Sequence, residues 1–287
     1  MRRCVACSTE ISTSSWRCAA CGFAPAEHPS HLSFVGNHAD DGFEGDFFEY
    51  LAGVEPGFWW FEARNAIIVW ALRRWFGALT SFLEVGCGTG FVVSRLAVEF
   101  PAVRFAASEL FPEAMAFVAS RVPRAELYQF DAREIPFRDE FDVIGAFDVI
   151  EHIDEDVRVL AEMRRALRPG GGLVLTVPQH GFLWGPSDDM AHHKRRYTRA
   201  VLRERLEQAG FRAVAFRSFV SLLMPAQILL RFAARHSANP DPRAEFRISP
   251  LMNRSLATVM AFEHAAIAAG MNSPFGGSLL AVAQRVG

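Results

Sequence analysis

The chain has 287 residues, 51% hydrophobic and 22% charged, so it can bury one good-sized core with small additions and is not a disordered polymer. A formal net charge of −2 gives no overall attraction to nucleic acid or to an anionic membrane; either partner would need a local basic patch. Arg2 and Arg3 are not followed by an apolar run, which argues against a signal peptide and makes the cytoplasm the expected location.

Four of the five cysteines fall in residues 1–25, as Cys4-x2-Cys7-x10-Cys18-x2-Cys21. Two such pairs bring four thiolates within reach of one tetrahedral ion, on short turns that preserve ligand geometry. The ten-residue gap is short for this pattern but lets two knuckles face each other. The stretch has few large apolar side chains, so bound zinc would itself supply its folding energy. It resembles a zinc ribbon, with no open ligand position and hence a structural or docking role.

Residues 26–79 read as a polar linker, a short helical piece, and then a helix over Glu62–Phe76 with Ile67, Ile68, Ala71, Leu72 and Trp75 at helical spacing. From residue 80 to 287 strands and helices alternate. Strand-like runs are Ser81–Val85, Arg104–Ser108, Leu127–Phe130, Phe141–Phe147 and Leu173–Val177. The helix after Ile153 is acidic at its start and basic at its end, as the helix dipole prefers, and Pro169-Gly170 stops it. A helix over Thr198–Ala209 precedes two further strands, Phe211–Phe216 and Ser278–Ala283. The alternation predicts a parallel sheet with right-handed crossovers. Between the last two strands, residues 218 to about 275 read as an inserted helical cap with helices over Ser218–Leu230 and Leu251–Ala269. The first of these is uncharged but shorter than the roughly 20 apolar residues that span a bilayer.

The chemistry concentrates in Phe82-Leu83-Glu84-Val85-Gly86-Cys87-Gly88-Thr89-Gly90, a strand entering a glycine turn and then a helix. Glycines there let a ligand lie against bare main chain. The Gly-x-Gly-x-Gly spacing lacks the longer gap of the dinucleotide fingerprint, and the acid Glu84 precedes it. Glu109 ends the next strand, where a carboxylate can accept both hydrogen bonds of a ribose diol. Phe130-Asp131-Ala132 follows the third strand, Phe147-Asp148-Val149-Ile150-Glu151-His152 the fourth, and Leu167-Arg168-Pro169-Gly170-Gly171-Gly172 leads into the fifth.

In that order these motifs resemble the class I S-adenosylmethionine (SAM)-dependent methyltransferases, in the branch acting on small molecules, over about residues 80–180. The resemblance implies a doubly wound α/β fold with a seven-stranded sheet whose last strand is antiparallel. It also implies Glu84, Gly86, Gly88 and Gly90 beside the methionine part of SAM, Glu109 and Leu110 at the ribose, Asp131 with Ala132 at the adenine, and Asp148 at the methionine end. Downstream, His193, Arg196, Tyr197 and Thr198 match a His-x-x-Arg-Tyr-Thr stretch that borders the acceptor pocket in the family. His152, His193 and Tyr197 are the catalytic candidates, since a hydroxyl acceptor must lose a proton and histidine titrates near neutrality. Asp148, Glu151 and His152 offer a minor alternative as a metal site.

The leading reading is therefore a small-molecule methyltransferase with SAM and a structural Zn2+. The apolar cap residues Phe219, Leu222, Leu223 and Ile228 leave room for an apolar or lipid-linked acceptor, although core packing explains them as well. A macromolecular methyltransferase that recruits RNA or protein through the zinc module is a second reading, disfavoured for RNA by the lack of a basic stripe. A SAM-binding regulatory or scaffold protein without catalysis is a third.

Overall fold

The computed structural model describes residues 1–11, 15–35, 45–235 and 246–287. The cysteine segment opens with a small antiparallel ribbon of β1 (Arg2–Arg3) and β2 (Glu10–Ile11), followed by a hairpin of β3 (Ala26–Glu27) and β4 (Leu32–Ser33). Helices α1 (Gly45–Val54) and α2 (Trp59–Trp75) come next. The alternating region then runs β5 (Ser81–Val85), α3 (Phe91–Glu99), β6 (Arg104–Glu109), α4 (Pro112–Arg121), β7 (Glu126–Gln129), β8 (Phe141–Phe147), α5 (Asp156–Ala166) and β9 (Leu167–Pro178). It closes with α6 (Pro186–Met190), α7 (Arg199–Gln208), β10 (Phe211–Phe219), α8 (Met224–Arg235), α9 (Pro250–Ala268) and β11 (Ser278–Arg285).

The main sheet has the order β10-β11-β9-β8-β5-β6-β7-β4-β3. From β9 to β4 every neighbouring pair is parallel, and β11 runs antiparallel to both β9 and β10. All seven expected strands are present, with β11 antiparallel as the resemblance implied. The sheet is wider than expected: β4 adds to β7 through Leu32↔Tyr128 and Ser33↔Gln129, and β3 adds to β4, inside a stretch that reads as linker. Two-residue strands carry no alternation for a sequence to display.

Period-two alternation divides the strands between two cores. Leu83 and Val85 of β5, with Leu279, Ala281 and Ala283 of β11, face the layer of α5 and α7. Phe82, Leu280 and Val282 face the layer of α2, α3, α4 and α9. Helices on both faces are what a parallel sheet requires.

The cap differs from expectation at its start. β10 continues through Ser218 and Phe219, which pair with Leu279 and Ser278, and the chain turns at Val220 with φ +59°. The backbone N–H groups of Ser221 and Leu222 donate to the buried Glu263 carboxylate at 3.0 and 2.8 Å, and α8 begins only at Met224. Pro225 thus falls in the first turn of α8, where its missing N–H costs nothing. Among the described residues no helix is long and apolar enough to cross a membrane.

The turn from β5 to α3 has Gly86, Gly88 and Gly90 at φ +69°, +53° and +79°. A Cβ on Gly86 would lie 2.7 Å from Val149 Cγ2, whereas one on Gly88 would meet nothing within 4 Å. Packing therefore excludes a side chain at Gly86, and open space lies beside Gly88. Gly86→Ala should lower stability by about 1–3 kcal/mol through overpacking at an unfavourable φ. Urea melts read this directly, and a change under about 0.5 kcal/mol would mean that Val149 yields freely.

Candidate functional site

A cavity of about 980 Å3 opens beyond the carboxyl ends of the parallel strands, lined by Gly86, Gly88, Glu109, Leu110, Asp131, Ala132 and Asp148. That is the upper end of the range for ligand pockets. Glu84 also reaches it, whereas Gly90 does not and instead packs at Val118.

Glu109 closes β6. Its Oε2 accepts the Gly88 N–H at 2.8 Å and its Oε1 accepts that of Leu110 at 2.7 Å, so one carboxylate bridges the glycine turn and the neighbouring strand end. Burial raises its proton affinity and these N–H groups oppose the rise. Asp131 follows β7 and is clasped by Arg133, whose Nη2 donates at 2.6 Å and backbone N–H at 2.8 Å. Burial works against ionisation there, but Arg133 holds the carboxyl below its ordinary range. Asp148 follows β8 in the left-handed region, φ +58°, and accepts from Arg64 Nη1 at 2.7 Å and Thr176 Oγ1 at 3.1 Å.

Glu84 lies in the middle sheet wholly buried, and burial pushes its carboxyl up to about 8 against the pull of Arg64 and of the Val93 N–H. Its Oε2 has no hydrogen-bond partner among the described residues. An unmatched buried carboxylate facing a cavity fits a cationic group on a ligand.

Two features of this half escape a sequence reading. Arg64 lies on α2, where the apolar stripe masks it, and supplies the cation between Asp148 and Glu84. Glu55, just past α1, accepts Thr89 Oγ1 and Arg121 Nη1, both at 2.6 Å, tying α1 to the glycine turn and to α4. Phe47, Phe48 and Leu51 of α1 thereby form a wall of the cavity.

The opposite wall comes from the segment after β9. Asp188, in α6, is buried; its Oδ1 accepts from His193 Nδ1 and Arg196 Nε, both at 2.8 Å, and its Oδ2 from Arg196 Nη2 at 2.9 Å and the Gly185 N–H at 2.8 Å. Despite burial, the hydrogen bonds from His193 and Arg196 hold the Asp188 carboxyl down at about 2. An ionised Asp188 keeps the proton on His193 Nδ1 and leaves Nε2 as the available nitrogen. The His152 ring stands edge-on to His193 at 4.7 Å, and burial with His193 beside it lowers His152 to about 4, so it is neutral at neutral pH. Asp188 was not among the expected site residues, although an acid five positions before a histidine in a polar loop is a readable hint.

The structure places Tyr197 elsewhere. It is fully buried behind this wall, outside the cavity lining, and its hydroxyl donates to Asp156 Oδ2 at 2.9 Å. His192 lines the cavity; His180 does not, and stacks on Phe182 at 5.1 Å.

At the N-terminal ribbon the two cysteine knuckles repeat one hydrogen-bond pattern. Ser8 N–H donates to Cys4 O and Cys4 N–H to Thr9 O; Gly22 N–H donates to Cys18 O and Cys18 N–H to Phe23 O. Ser8 and Gly22 share the left-handed conformation, φ +62° and +78°. The thiols are free, with Cys4 and Cys21 sulfurs 3.6 Å apart and Cys7 and Cys18 likewise, and all four lie within 4.8 Å of one another. None lines the cavity.

A family model described as "Methyltransferase domain" matches residues 83–175. A probable S-adenosylmethionine-dependent methyltransferase of Mycolicibacterium smegmatis is 30% identical over 56% of this chain and 62% of its own length. A trans-aconitate 2-methyltransferase of an Azoarcus species is 29% identical over 46% of this chain and 49% of its own. The chain thus spans about half to three fifths of these curated relatives. Among solved structures, the [4+2]-cyclase SpnF superposes with a TM-score of 0.52 at 21% identity, over 77% of this chain and 81% of its own. Residues 83–175 thus resemble a methyltransferase domain, and the chain shares the α/β fold of the solved structure on which it superposes.

Proposed function

We propose that the chain is a SAM-dependent methyltransferase acting in the cytoplasm on a small-molecule acceptor, with Cys4, Cys7, Cys18 and Cys21 holding a structural zinc ion. One observation carries the reading: a single cavity joins a bare glycine turn with its strand-end carboxylates to an Asp188-oriented His193. The net charge of −2 favours a small acceptor over a nucleic acid.

SAM supplies a methyl group already activated on a sulfonium. Glu109, with Leu110, would hold the ribose, and Asp131 with Ala132 the adenine. Gly86, Gly88 and Gly90 form the turn on which the methionine part rests, with Asp148 at its end and Glu84 toward its ammonium. His193 is placed to take the acceptor's proton on Nε2, while Asp188 fixes its tautomer and balances the imidazolium. Neutral His152 packs on His193 and can accept a hydrogen bond from the acceptor. Tyr197 is a positioning residue that ties the acceptor loop to α5 through Asp156.

Calorimetry should show SAM binding, weakened about tenfold or more in Glu109→Ala, since a lost hydrogen-bond pair of roughly 1.5 kcal/mol or more corresponds to that factor. No binding by the wild type ends the methyltransferase reading. A screen of small acceptors with labelled SAM should then show His193→Ala slowed about 100-fold or more at unchanged SAM affinity. Asp188→Asn should be slowed too and should lose about 3–5 kcal/mol of stability, because Arg196 is left buried without its partner. Tyr197→Phe should melt earlier yet keep its turnover; full turnover in His193→Ala would place the base elsewhere.

Glu84 makes stability depend on pH. An acid raised in the fold to about 8 from an ordinary 4.5 favours the folded state most below pH 4.5, and that contribution falls away as the pH rises toward 8. Glu84→Gln should therefore gain on the wild type in denaturant melts between pH 5 and 8, while binding SAM more weakly. A constant difference across that range would show that Glu84 is ionised throughout.

Elemental analysis should find one tightly held zinc in the purified protein. Cys18→Ser should lose it and keep SAM binding, since the cysteines lie off the cavity. A disulfide in freshly reduced protein, or cysteines that hold no metal, would refute the assignment.

A further inference from the structure

The acceptor end of the cavity contains a donor that the proposed reading leaves idle. Glu151 lies in the short turn Ile150–His152 after β8, lines the cavity and is wholly buried, yet neither carboxylate oxygen has a hydrogen-bond partner among the described residues. A buried carboxylate with both oxygens unmatched is a costly arrangement unless something absent from the bare chain meets it. One donor atom each from Glu151, His152 and His193 lies within 4.8 Å of the others.

The groups behind these donors are arranged as supports. His193 Nδ1 is anchored on the buried Asp188 at 2.8 Å, leaving Nε2 as the donor. A carboxylate or carbonyl behind a ligating imidazole is the usual outer support of a metal ligand, fixing its tautomer and orientation. Arg64 and Arg196 act electrostatically on Glu151, but their ion pairs go to Asp148 and Asp188.

We propose that Glu151, His152 and His193 hold a divalent transition-metal ion at the acceptor end of the cavity, with open positions for an acceptor hydroxyl or carboxylate. Two imidazoles and one carboxylate suit Zn2+ and its neighbours, whereas Mg2+ and Ca2+ favour oxygen-only sets. Three protein ligands leave the vacancy that distinguishes a reactive site from the closed four-cysteine one. The ion would orient the acceptor and make its hydroxyl more acidic, the proton passing to solvent, so that His193 serves as ligand in place of base. This rests on the reading that the acceptor occupies this end of the cavity.

The test is a zinc count on the full chain, dialysed against excess Zn2+ and then against plain buffer. Glu151→Gln and His152→Ala should each hold one ion fewer than the wild type, while Cys18→Ser loses a different one. Glu151→Gln keeps the shape, so it should fold, and thermal melts confirm this for each variant. Equal counts in wild type, Glu151→Gln and His152→Ala overturn the site and return His193 to the role of base. The count does not depend on SAM: a chain that binds this ion but no SAM keeps the site and loses the transferase reading, and SAM binding without the extra ion does the reverse.

Discussion

The site depends on β5 lying between β6 and β8 in parallel register. Phe82, Leu83 and Glu84 pair with residues 105–107 on one side and 143–145 on the other, so three strands end at one level. The parallel strand order then brings the glycine turn, Glu109 and Asp148 to the same edge from positions far apart in the chain. Glu109 locks this arrangement by accepting N–H groups from both its own strand end and Gly88. Val149 presses on Gly86 from the third strand, leaving bare backbone as the only solution there.

The second wall is built on a different principle, a buried charge rather than a sheet. Asp188 collects four hydrogen bonds from Gly185, His193 and Arg196, which fold the loop after β9 back over the strand ends. A buried ion pair is a poor source of stability but a strong determinant of geometry. Here the determined geometry is the direction of one imidazole. Tyr197, adjacent in sequence to Arg196, faces the other way and anchors the same loop on Asp156. Neighbouring residues of one motif thus divide orientation from anchoring.

Much of this was legible in the sequence, for physical reasons. Apolar runs such as Val143–Phe147 announce strands because both faces of a parallel sheet are buried. Gly86 and Gly88 announce the turn because positive φ and close approach admit little else. The pairing of β4 with β7 was not legible, since two residues show no period, and neither was the late start of α8, because Phe219 and Val220 look as helical as they do extended. Among site residues, Tyr197 misled: its place in a polar motif says nothing about which side of the wall its ring occupies. Asp188 and Arg64 were missed because their significance lies in partners distant in the chain.

The hairpin that widens the sheet also has a bearing on association. β7 is parallel on its outer side to β4, and the sheet ends at β3, a strand of only two residues. Trp16, packed edge-on to Phe34, Tyr128 and Phe137 and covered by the Arg2 guanidinium at 3.9 Å, fastens the cysteine ribbon beside this margin. Unpaired strand margins template pairing with other chains, and short, covered ones do not. The ribbon and its hairpin therefore act as a selvedge, finishing the one side of the sheet where backbone groups of β7 would otherwise face a neighbouring molecule.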